Sequence, residues 1–314
     1  MKNPFFTASH LFTKLLFFLF IIFGSFAVFL IIGLITAIPL FGINLSSFRE
    51  ALNINNPDNI GLIKYMQFIQ HLGIFIIPPI VAAYIFSKHP KTYLGAATKS
   101  NLNVFLLAVL IIFFAIPVIN FTGALNAKLS LPASMSGLET KIKAMEESAA
   151  KITETFLNVK SIGGLFINLI IIALLPAIGE EFVFRGILLK LFKEWTKNKH
   201  AAVLISAFLF SAVHFQFYGF LPRFLLGALF GYLFIWSKNI WVPVTIHFIN
   251  NGLAVMLYYF SHDSEFYNKA DTLGTDKTTL PAVFFSVIVV GVLLFYFYKI
   301  TKNKPEKLNS QSEY

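Results

Sequence analysis

Cysteine is absent from the 314-residue chain, which excludes disulfides, thiol nucleophiles and thiolate metal sites. Charge is scarce as well. Asp, Glu, Lys and Arg together make up 13% of residues, where a soluble domain carries about a quarter. Arginine is scarcest, with Arg49, Arg185 and Arg223 as the whole set. No internal repeat is visible, and the alternating pattern of a membrane β-barrel is missing. No nucleic-acid motif accompanies the net charge of +10, so the excess of lysine reads as inside loops of a membrane protein and no nucleic-acid partner is expected.

What is abundant is apolar residue, 57% of the chain, with a mean hydropathy of +0.73. Apolar spans of about the 20-residue length that a bilayer requires run near 15–40, 64–87, 103–122, 163–190, 201–217, 220–237, 241–260 and 281–299. The predicted fold is therefore all-α, a polytopic membrane helix bundle of about eight transmembrane helices in a single membrane domain over 1–314. The first span is too long for a signal peptide and lacks a cleavage site, which predicts a retained helix. Pro78, Pro79, Pro117 and Pro176 are expected to kink their helices. With the N-terminus inside, Lys88, Lys91, Lys99, Lys190, Lys193, Lys197, Lys199 and Lys238 fall on the cytoplasmic side, so both termini are expected there. The segment 123–162 then lies outside. Within it Leu138, Ile142, Met145, Ile152 and Phe156 recur at helical spacing, predicting an amphipathic helix on the membrane or over the bundle, or a mobile surface helix. A polar tail over 302–314 is expected to be disordered.

Ionisable groups inside an apolar span are costly, and Gly179-Glu180-Glu181-Phe182-Val183-Phe184-Arg185 puts three there. Glu181 and Arg185 are four apart and share a helical face, while Glu180 points about 100° away. Span five ends Phe210-Ser211-Ala212-Val213-His214. Span seven carries His247 and Asn251, again four apart. Counted from the nearest inside boundary at about 1.5 Å per residue, Glu180, His214 and Asn251 lie roughly 15 to 21 Å deep. Residues remote in sequence thus share one depth, as a buried polar site requires.

Each residue type has a chemical role to fill. Glu180 suits a general base that activates water, with His214 orienting or deprotonating the same water. Arg185 pairs with Glu181 structurally and leaves Glu180 free. His247 and Asn251 can donate hydrogen bonds to the oxyanion of a tetrahedral intermediate. No serine or threonine stands out as a nucleophile. The parts describe hydrolysis of an amide by activated water. Read singly, the same residues are a folding ion pair, a histidine bonded to a neighbouring helix and asparagine packing glue. Gln67, Gln70 and His71 form a further polar patch, read as packing or cavity lining.

These motifs resemble those of the CAAX-protease and bacteriocin-processing (CPBP, or abortive-infection) family of intramembrane endopeptidases. Glu180, Glu181 and Arg185 match its Glu-Glu-x-x-x-Arg motif, Phe210 and His214 its Phe-x-x-x-His, and His247 and Asn251 its His-x-x-x-Asn. The resemblance covers residues 160–260, the expected catalytic core. It implies a cavity reaching the site from the cytoplasm, water activated by Glu180 and His214, and an oxyanion hole from His247 and Asn251. It also implies a membrane-associated protein or peptide as substrate in a lipid bilayer. Metal-free chemistry is the expectation; the alternative is zinc held by Glu180, His214 and His247. Richness in Phe, Ile, Lys and Asn fits an AT-rich bacterial gene, hence an inner (cytoplasmic) membrane, and a prenylated CAAX tail is not the expected substrate. The rival functions are a non-catalytic immunity protein that sequesters a peptide and a proton-coupled transporter. Against the transporter stands the missing internal repeat.

Overall fold

A computed structural model of the chain describes residues 11–44 and 46–302. Among them the regular structure is helical throughout, without strands. In chain order the principal helices are α1 (Leu11–Phe41), α2 (Pro57–Phe86), α3 (Leu102–Ala127), α4 (Ser136–Leu157), α5 (Ile162–Thr196), α6 (Lys199–Ala212), α7 (Phe220–Ser237), α8 (Trp241–Ser261) and α9 (Leu280–Lys302). All but α4 coincide with the expected apolar spans. Six of them (α1, α2, α3, α5, α7 with the turn before it, and α9) are long and apolar enough to cross a membrane. The expected count of about eight is met by helices but not by that criterion. α6 has 14 residues, a rise of about 21 Å. α8 has 21 residues, and His247, Asn250 and Asn251 lower its hydropathy. The tail beyond Lys302 lies outside the described residues.

The helix bearing the paired glutamates is the centre of the bundle. From Gly179 to Ile187 every residue of α5 is buried. Ala177, Phe182, Val183, Phe184 and Ile187 join Phe18 of α1, Ala82 and Phe86 of α2, Val203 and Phe210 of α6, Phe234 of α7 and Val244 of α8 in one core. A second core joins α3, α7, α8 and α9 through Ile111, Phe230, Ile246 and Phe297. Close approach at Gly179 lets α2 lie against the acidic turn, because a Cβ there would stand 2.7 Å from Phe75 Cβ.

Three helical turns are wound as π-helix: Leu72–Ile76 in α2, and Leu169–Leu174 and Phe182–Leu188 in α5. Two of them end two residues before a proline, Pro78 and Pro176. Proline has no N–H for the carbonyl four residues back and its ring crowds it, which a wider turn accommodates. The third π turn contains Arg185.

The outer segment forms α4, as its periodicity predicts. Lys64 Nζ donates to Phe156 O at 2.9 Å, and Asn168 Nδ2 to the same oxygen at 2.6 Å, which pins the end of α4 onto α2 and α5. Lys151 Nζ reaches Asn55 Oδ1 at 2.6 Å. Phe156 is buried, whereas Leu138, Met145 and Ile152 remain exposed. α4 therefore lies over the bundle and keeps part of its apolar stripe uncovered.

Candidate active site

Glu180, His214, His247 and Asn251 line one cavity of about 310 Å³, between α2, α5, α6, α7 and α8. Gln67, Ile171, Ile172, Pro176, Phe210, Arg223, Leu226, Phe230 and Asn250 complete its wall. The common depth read from the sequence is thus a common cavity.

Below its floor, Glu181 and Arg185 are fully buried, with 0% exposure. Arg185 Nη1 donates to Glu181 Oε1 at 2.9 Å, and Nη2 to the carbonyl of Gly227 at 2.7 Å. The guanidinium stacks over the rings of Phe210 and Phe230, 4.7 and 5.5 Å from their centroids. Gly227 has no Cβ to hold α7 away from Ala207 and Phe210, so its carbonyl can approach. The ion pair expected from the i,i+4 spacing is present and has a third member. His247 Nδ1 lies 3.0 Å from the same Glu181 Oε1. A carboxylate oxygen only accepts, so Nδ1 is the donor, and Nε2 is left facing Glu180 Oε2 at 3.9 Å. Glu181 is therefore not merely the partner of Arg185; it also sets the orientation of His247.

His214 is placed by the end of α6. Its Nδ1 lies 2.8 Å from Phe210 O. A carbonyl can only accept, so the proton is on Nδ1 and Nε2 is the basic nitrogen. The next residue, Phe215, has φ of 52°, the left-handed conformation that ends the helix there. This is why the span expected over 201–217 stops being helical at Ala212.

Asn251 is held by a consequence of Pro176. The carbonyl four residues before that proline is Ile172 O, and Asn251 Nδ2 donates to it at 3.2 Å. Asn250 Nδ2 donates to Asn251 Oδ1 at 3.1 Å. The amide retains a second N–H for a ligand. Likewise Ser206 Oγ donates to Phe184 O, at 2.9 Å, within the π turn of α5.

Sequence reasoning gives Arg223 and Asn250 no part in the site. Arg223 had a signal, as one of three arginines and at the head of an apolar span. Asn250 is overshadowed by Asn251. His71 lies behind α5, stacked on Phe75 at 4.8 Å, so it packs; Gln67 lines the cavity. Among the described residues no three His, Asp or Glu side chains converge as metal ligands.

Residues 162–253 match the family model described as type II CAAX prenyl endopeptidase Rce1-like. The similarity to the Rce1-like family is confined to this segment. The segment contains every residue of the three motifs. Two curated bacterial proteins are similar to the chain. The uncharacterized protein YpbD of Bacillus subtilis (strain 168) is 29% identical over 99 residues, 30% of this chain and 48% of that protein. The membrane-embedded CAAX protease MroQ of Staphylococcus aureus (strain USA300) is 32% identical over 83 residues, 24% of this chain and 33% of that protein. The chain thus matches about half the length of the first and a third of the second. No solved structure matches the chain.

Proposed function

We propose that the protein is an intramembrane endopeptidase that hydrolyses a peptide bond in a membrane-associated protein or peptide. The observation that carries this reading is that Glu180 and the basic nitrogen-bearing ring of His214 line one cavity inside an Rce1-like segment. Water between them gives up a proton as its oxygen attacks the scissile carbonyl. The oxyanion that forms accepts hydrogen bonds from Asn251 and, when its ring carries both protons, from His247 Nε2. The proton taken from water passes to the departing amine, leaving a new carboxylate and a new amino terminus. Each step uses side chains alone, without a metal, so chelators are expected to leave activity unchanged. The membrane is proposed to be a bacterial inner membrane with both termini cytoplasmic.

The test compares new peptide termini in host membranes carrying wild type or Glu180→Gln at matched abundance. Termini that depend on Glu180 support the endopeptidase and identify its substrates. An unchanged set of termini, in cells where the wild type has its phenotype, assigns the protein to peptide sequestration instead.

A further inference from the structure

Arg223 stands in the first turn of α7 and lines the same cavity as Glu180 and His214. Unlike Arg185, it has no carboxylate partner among the described residues. Nη2 donates to the amide oxygen of Gln216. Nη1 is buried and has no hydrogen-bond partner among the described residues. The acids whose charges reach it are Glu146 of α4 and Glu180, and neither hydrogen-bonds to it. Glu146 Oε1 instead accepts from the backbone N–H of Tyr218 at 3.0 Å. Room for the guanidinium comes from Gly219, where a Cβ would stand 2.5 Å from Nη1.

A buried guanidinium donor without an acceptor is costly, and its planar fork matches a carboxylate. We infer that Arg223 binds a carboxylate of the peptide that enters the cavity, and so sets the distance from that carboxylate to the bond facing Glu180 and His214. The inference rests on the endopeptidase reading for the identity of the occupant as a peptide. The carboxylate has two sources, the peptide's C-terminus or an Asp or Glu side chain, and one experiment separates them.

Purified full-length wild type, Glu180→Gln, Arg223→Gln and Gly219→Ala are each incubated with two random decapeptide libraries. The libraries have the same composition and end in a free carboxylate or in a carboxamide. Retained peptides and cut peptides are read separately by mass spectrometry. Wild type and Glu180→Gln are expected to retain free-acid peptides about tenfold or more over amides, as loss of a charge-assisted hydrogen bond implies. Arg223→Gln removes that preference. Gly219→Ala displaces Nη1 without removing the charge, lowers the preference in the same direction, and carries the test if Arg223→Gln does not fold. Enrichment of Asp and Glu within both libraries assigns the carboxylate to a side chain. Equal retention without acidic enrichment, no retention at all, or a preference unchanged in the two variants overturns the carboxylate site. Cleavage is scored apart from retention: a wild type that retains acids selectively and cuts nothing keeps the site and removes the endopeptidase reading.

Discussion

Glu181 Oε1 accepts from two donors at once, Arg185 Nη1 at 2.9 Å and His247 Nδ1 at 3.0 Å. One atom therefore carries both a structural and an orienting role, and substitutions can separate them. Arg185→Ala leaves the Glu181 charge uncompensated in the core, and removing one partner of a buried pair costs about 3–5 kcal/mol. Abundance and thermal stability in detergent should fall accordingly. Replacing both partners with apolar residues of similar size is often neutral, so Glu181→Leu with Arg185→Met should recover much of that stability. The double variant should nevertheless cleave far more slowly, because His247 has lost the acceptor that orients it. Stability and cleavage returning together would show that Glu181 does not position His247. At this scale the sequence was most legible. The i,i+4 spacings and shared depth of Glu180, Glu181, Arg185, His214, His247 and Asn251 bring them together on separate helices. The sharing of Glu181 was not legible, since it depends on how α8 rotates against α5.

Helices here pack through exceptions to regular helix. The π turns of α5 place carbonyls where neighbouring side chains take them: Ile172 O by Asn251 and Phe184 O by Ser206. Prolines 78, 79 and 176 mark two of the irregular turns in the sequence, but the π winding itself follows from which neighbours satisfy the backbone. Glycine contacts supply a graded test. At Gly179 a Cβ would meet Phe75 Cβ at 2.7 Å, next to backbone that cannot swing away, while at Gly252 the nearest atom is Leu169 Cδ2 at 3.8 Å. Gly179→Ala should destabilise by about 1–3 kcal/mol, the usual range for overpacking. Gly252→Ala, one residue past Asn251, should leave the melting temperature unchanged within error. The surface helix α4 is held differently. Lys143 Nζ pairs with Glu139 Oε1 at 2.9 Å and Tyr218 donates to the same oxygen at 2.8 Å. The Lys143 hydrogen bond, then that of Tyr218, holds the Glu139 carboxyl below the ordinary carboxylate range. A lowered value means that this tether is present at neutral pH and is lost as pH falls through it. Protection from hydrogen exchange over residues 136–150, corrected for the intrinsic pH dependence of exchange, should therefore stay constant through mild acid and fall only below the ordinary glutamate range.

Across the whole molecule the short helix α6 is the feature that ties fold to site. Its rise of about 21 Å falls short of a hydrocarbon core of about 30 Å, so a helix starting at one boundary ends inside the membrane. Irregular backbone at that depth persists only where protein or a cavity satisfies it. The stretch from Ser211 to Arg223 meets this condition. Asn126 Nδ2 donates to Phe217 O at 2.9 Å and its Oδ1 accepts from Leu221 N at 2.6 Å; Ser211 Oγ donates to Phe220 O at 2.7 Å; Glu146 accepts from Tyr218 N. His214 and Arg223 project into the cavity from the two ends of this break. Apolar length alone could not reveal it, because the run from Ala201 to Phe217 reads as one continuous span. The proposed topology makes a direct prediction here. Since the chain has no cysteine, single cysteines can be placed without background at Lys91, Lys141, Lys197 and Lys277. If α6 and α8 complete eight crossings, a membrane-impermeant maleimide applied to intact cells labels Lys141→Cys and Lys277→Cys. Lys91→Cys and Lys197→Cys become labelled only after the membrane is opened. Protection of Lys277→Cys in intact cells alongside Lys91→Cys and Lys197→Cys would show that one of α6 and α8 does not cross.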